Sequence, residues 1–148
     1  MTEQIRKVMS SDLEMVRSFL LNVPSISDLD DNILKNGIMV TLNNDLLGFI
    51  SYEAFEGRGV IRYFVFQKML DELVLSTLFK ELEKEAGSKE IKSLYCVVDN
   101  KLIQTLFESL DFKVLEKKDL YLDEKLFKMP NLNETVLMEH KIYDSALF

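Results

Sequence analysis

The chain has 148 residues, 47% of them apolar, which is one ordinary domain's length with enough apolar surface for a full core and excludes a disordered chain. Its formal charge is −7, from 18 basic and 25 acidic residues, with lysines interleaved among acids as in Glu81-Leu82-Glu83-Lys84-Glu85, so no basic stripe suits it to nucleic acid. A single cysteine, Cys96, cannot close an internal disulfide, the start Met1–Lys7 has no apolar signal core, and no apolar run nears the ~20 residues of a membrane span; together these point to a cytoplasmic protein.

In chain order, Gln4–Met9 reads as a strand. Ser11 and Glu14 have capping-box spacing, and Leu13, Val16, Phe19, Leu20 and Val23 follow at helical spacing up to Pro24. Asp28–Asn36 predicts a second helix, ended by Gly37. Three strands follow, Ile38–Asn43, Leu46–Phe55 and Val60–Phe66, joined by the turn signals Asn43-Asn44-Asp45 and Glu56-Gly57-Arg58-Gly59. Leu70, Leu73, Val74, Leu78 and Leu82 mark a long amphipathic helix from about Asp71 to Ala86. Ile91–Val98 is an apolar strand, Asp99-Asn100 opens a helix that buries Leu102, Ile103, Leu106, Phe107 and Leu110, and Phe112–Leu115 starts another strand. Residues 119–133 read as an extended segment, Glu134–Ile142 as the last strand and 143–148 as a tail. The order predicts one α/β (α+β) domain over residues 1–148, with a mixed, mostly antiparallel sheet of six to seven strands and helices on both faces.

Four strings carry a resemblance: the opening Ile5–Asp12, the helix end Leu78–Ala86, the stretch Asn100 to Leu106-Phe107-Glu108-Ser109-Leu110-Asp111-Phe112, and Val136-Leu137-Met138-Glu139. In this order and spacing they resemble the GNAT superfamily of acyl-CoA N-acyltransferases over nearly the whole chain. The resemblance implies acetyl-CoA or CoA as the cofactor. It also implies a loop of the form Gln/Arg-x-x-Gly-x-Gly/Ala before the long helix, whose bare main-chain N–H groups meet the diphosphate at the helix's positive end. Here the segment is Gln67-Lys68-Met69-Leu70-Asp71-Glu72-Leu73-Val74-Leu75. No register keeps a glycine, and Asp71 and Glu72 suit a helix start better than a phosphate. Anchored on the helix, the family positions for backbone contact with the cofactor fall on Leu73, Val74 and Leu75, with Leu70 at the Arg/Gln position; anchored on Gln67, the glycine positions fall on Leu70 and Glu72. Asn100 matches the residue that touches the pantetheine arm, although an Asn there also caps a helix. The strand backbones of Tyr63, Phe64, Val65 and Phe66, and of Tyr95 to Val98, are expected to splay and pair with pantetheine amides.

The family's proton-donating Tyr is Phe107 here, and the following Gly is Asp111. Tyr95 and Tyr121 are the substitutes for the donor that protonates the leaving thiolate. Glu53, which shares a strand face with Ser51 and Phe55, and Tyr63 are the candidates near the acceptor. The phenylalanines 64, 66, 79, 107 and 112 read as core filling. His140 is the only histidine and Cys96 the only cysteine, so a catalytic triad has at most one place to form, a zinc site would need carboxylates from elsewhere and none is expected, and His140 reads as structural. Two functions stay open. One is direct acetyl transfer to a primary amine, carried by a small molecule or a peptide. The other is a catalytically inert GNAT-like domain used for binding or assembly, whose apolar residues 120–129 and 143–148 cover a partner or a second copy in a homodimer. Neither involves nucleic acid or a membrane.

Overall fold

The computed structural model describes residues 3–67, 71–115 and 136–142. The loop residues 68–70, the segment 119–133 with Tyr121, and the tail 143–148 lie outside the described residues. In chain order the elements are β1 Gln4–Lys7, α1 Leu13–Leu21, α2 Asp31–Leu34, β2 Ile38–Leu42, β3 Asp45–Phe55, β4 Arg58–Phe66, α3 Glu72–Ser88, β5 Ser93–Val98, α4 Lys101–Ser109, β6 Lys113–Val114 and β7 Val136–Lys141. The strands form one seven-stranded sheet in the order β1-β2-β3-β4-β5-β7-β6. Only β4 and β5 pair in parallel; the other neighbours are antiparallel. The expected mixed sheet is therefore present.

Turn chemistry sets the meander. Asn43 and Asn44 carry φ of 53° and 69°, and Glu56 and Gly57 carry 45° and 83°. Both pairs are two-residue turns with two positive φ values, the kind whose twist matches antiparallel strands. The second turn is tighter than the sequence suggested, so β4 starts at Arg58 rather than Val60. α2 is one turn rather than the helix expected over Asp28–Asn36, because Asp30 caps it by accepting from Asn32 N–H at 2.9 Å. Gly37 does not end that helix through a left-handed residue. A Cβ there would lie 2.3 Å from the Phe49 ring, so the glycine makes room for a fully buried aromatic. The entry to α1 also differs from expectation. Asp12, not Ser11, accepts from Met9 N–H at 2.8 Å while Arg6 grips its two oxygens at 2.8 and 2.9 Å. A charge-assisted fork is stronger than a hydroxyl bond, and the Arg6 guanidinium holds the Asp12 carboxyl below its usual range.

The sheet separates two apolar layers. On one face α1 and α2 pack Val16, Phe19, Leu20 and Leu34 against Met39 and Phe49. On the other, α3 and α4 pack Leu78, Leu82 and Phe107 against Ile38, Val40, Ile50, Tyr52, Leu94 and Met138. Each fully buried side chain of this size is worth about 1.5–3 kcal/mol, so both layers are needed to hold the sheet.

Candidate active site

The site begins with a fault in the β3–β4 ladder. Phe49 pairs with Val65 but Ser51 pairs with Arg62, so Ile50 alone faces two residues, Tyr63 and Phe64. Tyr63 takes φ 57°, the left-handed region that costs a non-glycine residue roughly 1–2 kcal/mol. The bulge resets the alternation of side chains. Tyr63 and Val65 join the α1 layer, while Phe64 and Phe66 join the α3–α4 layer. Arg62 and Tyr63 therefore point to the same side of the sheet. Two bonds hold the distortion: buried Ser51 Oγ donates to Arg62 O at 3.1 Å, and the Tyr63 hydroxyl donates to Asp28 O at 3.1 Å. Burial raises the Tyr63 phenol above its ordinary pKa.

These two side chains line a cavity of about 270 Å³ with residues 25–28 of the α1–α2 loop and Ile33. That space suits a small polar group. Arg62 Nε lies 3.1 Å from Glu53 Oε1, and the two side chains are 16% and 25% exposed. The pair, diagonal across β3 and β4, sets the Glu53 carboxylate one side chain away from the cavity. Asp28 in the wall favours a cationic guest. Of the two expected acceptor-side residues, Tyr63 lines this cavity and Glu53 reaches it only through Arg62; Arg62 and Asp28 were not expected there. The signal for Arg62 was a charge in an otherwise apolar strand; nothing in the sequence marked the bulge.

A second opening lies between the parallel strands. β4 and β5 pair only at Arg58–Ser93, Gly59–Leu94 and Val60–Tyr95. Beyond that, Ile61–Phe66 stays with β3 and Cys96–Val98 stays with β7, and the facing edges of the two strands are not joined by ladder bonds among the described residues. The absent pairing covers Tyr63–Phe66 and Val97–Val98 of the backbones expected to splay, whereas Tyr95 is still paired with Val60.

The helices that leave this mouth are both capped by their own chain. At α3, Asp71 Oδ1 accepts from Val74 N–H at 2.9 Å, and Asp71 O accepts from Leu75 N–H at 3.0 Å. Leu73 is 76% exposed. Of the three expected contact positions, Val74 and Leu75 thus have their N–H groups already engaged. At α4, Asn100 Oδ1 accepts from Leu102 and Ile103 N–H at 2.8 and 3.3 Å. Phe107 is buried and meets Phe64, Phe79 and Phe112 edge-on at 5.5, 5.6 and 5.0 Å, which fits its reading as core.

The remaining candidates fall elsewhere. Tyr95 is buried beside Val60 and Leu137, and its hydroxyl donates to Glu139 at 2.7 Å. Burial and that carboxylate push it up to about 12, a poor match for proton donation at neutral pH. Val60, Glu53 and Glu139 flank it in one cross-strand row. His140 lies between Glu83 and Asp111 O, at 2.9 and 3.2 Å, and stacks on Phe112; it ties β7 to α3. Burial drives the Cys96 thiol far up, so it is inert packing. No group of three or more His, Cys, Asp or Glu gathers as a metal-ligand set among the described residues, and no helix there is long and apolar enough to cross a membrane.

No family model and no curated protein sequence matches the chain. Solved structures do. The chain is similar to N-acetylglutamate synthase from Neisseria gonorrhoeae, complexed with coenzyme A and N-acetyl-glutamate, with a TM-score of 0.74 and 14% identity over 97% of this chain and 36% of that one. It therefore spans about a third of that protein's length. It is also similar to the ribosomal-protein-S18-alanine N-acetyltransferase from Escherichia coli (TM-score 0.66, 15% identity, 97% of this chain and 96% of that one). A third likeness is PaiA N-acetyltransferase from Thermoplasma acidophilum in complex with coenzyme A (TM-score 0.62, 17% identity, 95% and 99%). The chain has the GNAT fold.

A coenzyme A thioester would meet two different environments in these residues. The edges left without ladder bonds between β4 and β5 would suit an amide-bearing pantetheine arm, which needs only main-chain partners. The start of α3 does not fit a diphosphate: a carboxylate already occupies the donor that a phosphate oxygen needs.

Proposed function

We propose that this chain is an acyl-CoA-dependent N-acetyltransferase that acts on a primary amine seated in the cavity beneath the α1–α2 loop. The observation that carries the reading is the bulge at Tyr63 beside the β4–β5 gap. It sets a polar cavity on one side of β4, next to the stretch where the β4–β5 ladder ends. Acetyl-CoA, when bound, supplies the thioester carbonyl. The chain's residues position the amine and receive its proton. Asp28 and the α1–α2 loop hold the cationic acceptor. Glu53, kept in place by Arg62, takes the proton through one water, a reach within the usual range for a general base. The free nitrogen would then bond to the acyl carbon as the carbon–sulfur bond breaks, and the second nitrogen proton would pass to the departing thiolate, directly or through water or Tyr121, leaving an amide and a free thiol.

The experiment is thermal melting with acetyl-CoA, followed by thiol release with a panel of amines. Ligand at about 100 times its dissociation constant adds roughly 2.7 kcal/mol, or roughly 5–10 °C here. We expect a shift and amine-dependent thiol release. No shift at millimolar acetyl-CoA refutes the reading. A shift without release from any amine favours the second reading, a domain that binds without turnover. That reading draws on the Asp71 cap at α3 and on the packed Phe107 ring where the resembling family has a phenol.

A further inference from the structure

The two ends of the donor opening make opposite demands, and this fixes how the acyl donor is read. The inference rests on the proposed acyl-transfer reading. We infer that Asp71 is a specificity-determining residue, and that the chain recognises its donor as a pantetheine thioester through the strand gap, gaining little from the nucleotide diphosphate.

Two independent features of the fold carry it. First, the gap between Ile61–Phe66 and Cys96–Val98 offers main-chain groups that read amides and ignore side-chain identity. A pantetheine arm carries two amides at the spacing of an extended strand, so it satisfies such edges in the manner of an added strand. Second, the diphosphate end finds Asp71. Its Oδ1 holds Val74 N–H at 2.9 Å and its carbonyl holds Leu75 N–H at 3.0 Å. A phosphate would have to displace that carboxylate and then lie beside it, with Glu72 next in the chain. Like charges at contact distance repel even in a water-like dielectric. The same carboxylate stabilises α3 as its cap and through the helix dipole, so the residue that makes the helix start well also refuses the nucleotide. Asn100 at α4 performs the capping task without a charge, which shows that the anion at α3 is a separate feature and not a requirement of capping.

The test compares two donors on three proteins by calorimetry: acetyl-CoA and S-acetyl-pantetheine on the intact chain, on Asp71→Asn and on Asp71→Gly. Asn keeps the cap and removes the charge; Gly also frees the Val74 donor. In the unaltered protein we expect the two donors to bind within about tenfold of each other. Removing the charge should tighten acetyl-CoA by about tenfold and leave acetyl-pantetheine unchanged, with Gly exceeding Asn. Circular dichroism checks that both variants keep α3. If the unaltered chain already prefers acetyl-CoA by a hundredfold or more, or if both variants leave the ratio where it was, the inference is wrong while acyl transfer survives. If neither donor binds any of the three proteins at millimolar concentration, the acyl-transfer reading fails and takes this inference with it.

Discussion

The two sides of β4 are organised by different physics. Toward α1 and α2, polar groups converge: Arg62 on Glu53, Tyr63 on Asp28 O, Ser51 on Arg62 O. Toward α3 and α4, the same strand contributes Phe64 and Phe66 to an edge-to-face cluster with Phe79, Phe107 and Phe112. The first region keeps strain, a bulge and a cavity, which cost stability and persist where surrounding bonds over-determine them. The second is packed like any core, with its helix starts closed by the chain's own caps. On the proposed reading, the acceptor side offers several placed polar groups and the donor side only main chain.

The sharpest way to break that contrast is Glu53→Gln. The amide keeps the volume and can still meet Arg62, so the fold should hold. If the acceptor side supplies the base, kcat/KM for the amine should fall about a hundredfold with donor binding unchanged, the usual scale for a lost proton acceptor. Steady-state rates with direct measurement of donor affinity give the answer. Full activity in this variant would leave the acceptor cavity with no chemical role for its best-placed carboxylate.

Phe107→Tyr tests the other half. In the sequence this position looks like an active phenol that has been lost. In the structure the ring is 3% exposed and surrounded by other rings. A hydroxyl placed there has no partner, and a buried unpaired hydroxyl costs about 2 kcal/mol. The melting temperature should drop roughly 5 °C with no gain in turnover. Faster thiol release at unchanged stability would instead mean that the donor side lacks only a proton donor.

The contrast also explains what the sequence could tell. Element order, the two positive-φ turns and the α1 stripe were legible because they depend on period and on local φ preference. The exposed acids Asp71 and Glu72 were legible as helix-starting chemistry for the same reason. The α4 stripe was not: Leu102 and Ile103, expected on its buried face, are 80% and 41% exposed, and of the five expected residues Phe107 alone is buried. Nor was the bulge. Val60-Ile61-Arg62-Tyr63-Phe64 alternates as plausibly without a register slip, and the slip is set by Ser51 and Asp28, residues distant in the chain. Gly37 misled for a related cause: a glycine after a helix suggests a left-handed cap, whereas here it clears space for Phe49, a tertiary fact. Tyr95 looked like a proton donor until its partner on another strand, Glu139, was in view.

A smaller effect separates the strain at Tyr63 from the bond that holds it. Tyr63→Phe keeps the ring and deletes the donation to Asp28 O, so stability should fall by about 0.5–1 kcal/mol and the amine KM should rise a fewfold as the α1–α2 loop loosens. The pH dependence has a definite sign. The folded-state phenol titrates above its ordinary value, so the protonated hydroxyl's contribution is complete below about pH 10 and is lost as pH rises through the folded pKa. The variant should therefore show a shallower alkaline loss of stability than the unaltered chain. Denaturant titrations at neutral pH and at about pH 11 would reveal an unchanged alkaline slope if the bond were incidental.

The smallest expected effect runs in the opposite direction and lies under the donor side. α3 and α4 end alike: Ile91 N–H bonds Ala86 O and Glu90 N–H bonds Gly87 O, while Phe112 N–H bonds Phe107 O and Asp111 N–H bonds Glu108 O. This double bond pattern requires a left-handed residue, and Glu90 and Asp111 supply it with φ of 64° and 67°, where glycine is ordinary. Both residues are also acids at the negative end of a helix dipole. Replacing either with Gly should relieve strain and repulsion together, offset in part by the greater freedom of the unfolded chain. Each should gain about 0.5–1 kcal/mol, Glu90→Gly more than Asp111→Gly because Asp tolerates left-handed geometry better. Asp111→Gly is the more telling of the two. It restores the residue expected after Leu110 by resemblance, yet it should raise the melting temperature by only about 2 °C and leave donor binding unaltered, since the Phe107–Phe112 contact and the His140 bond to the residue 111 carbonyl are both kept. A change in donor affinity on this substitution would place the α4 end in the donor opening, and the division of labour across β4 would have to be redrawn.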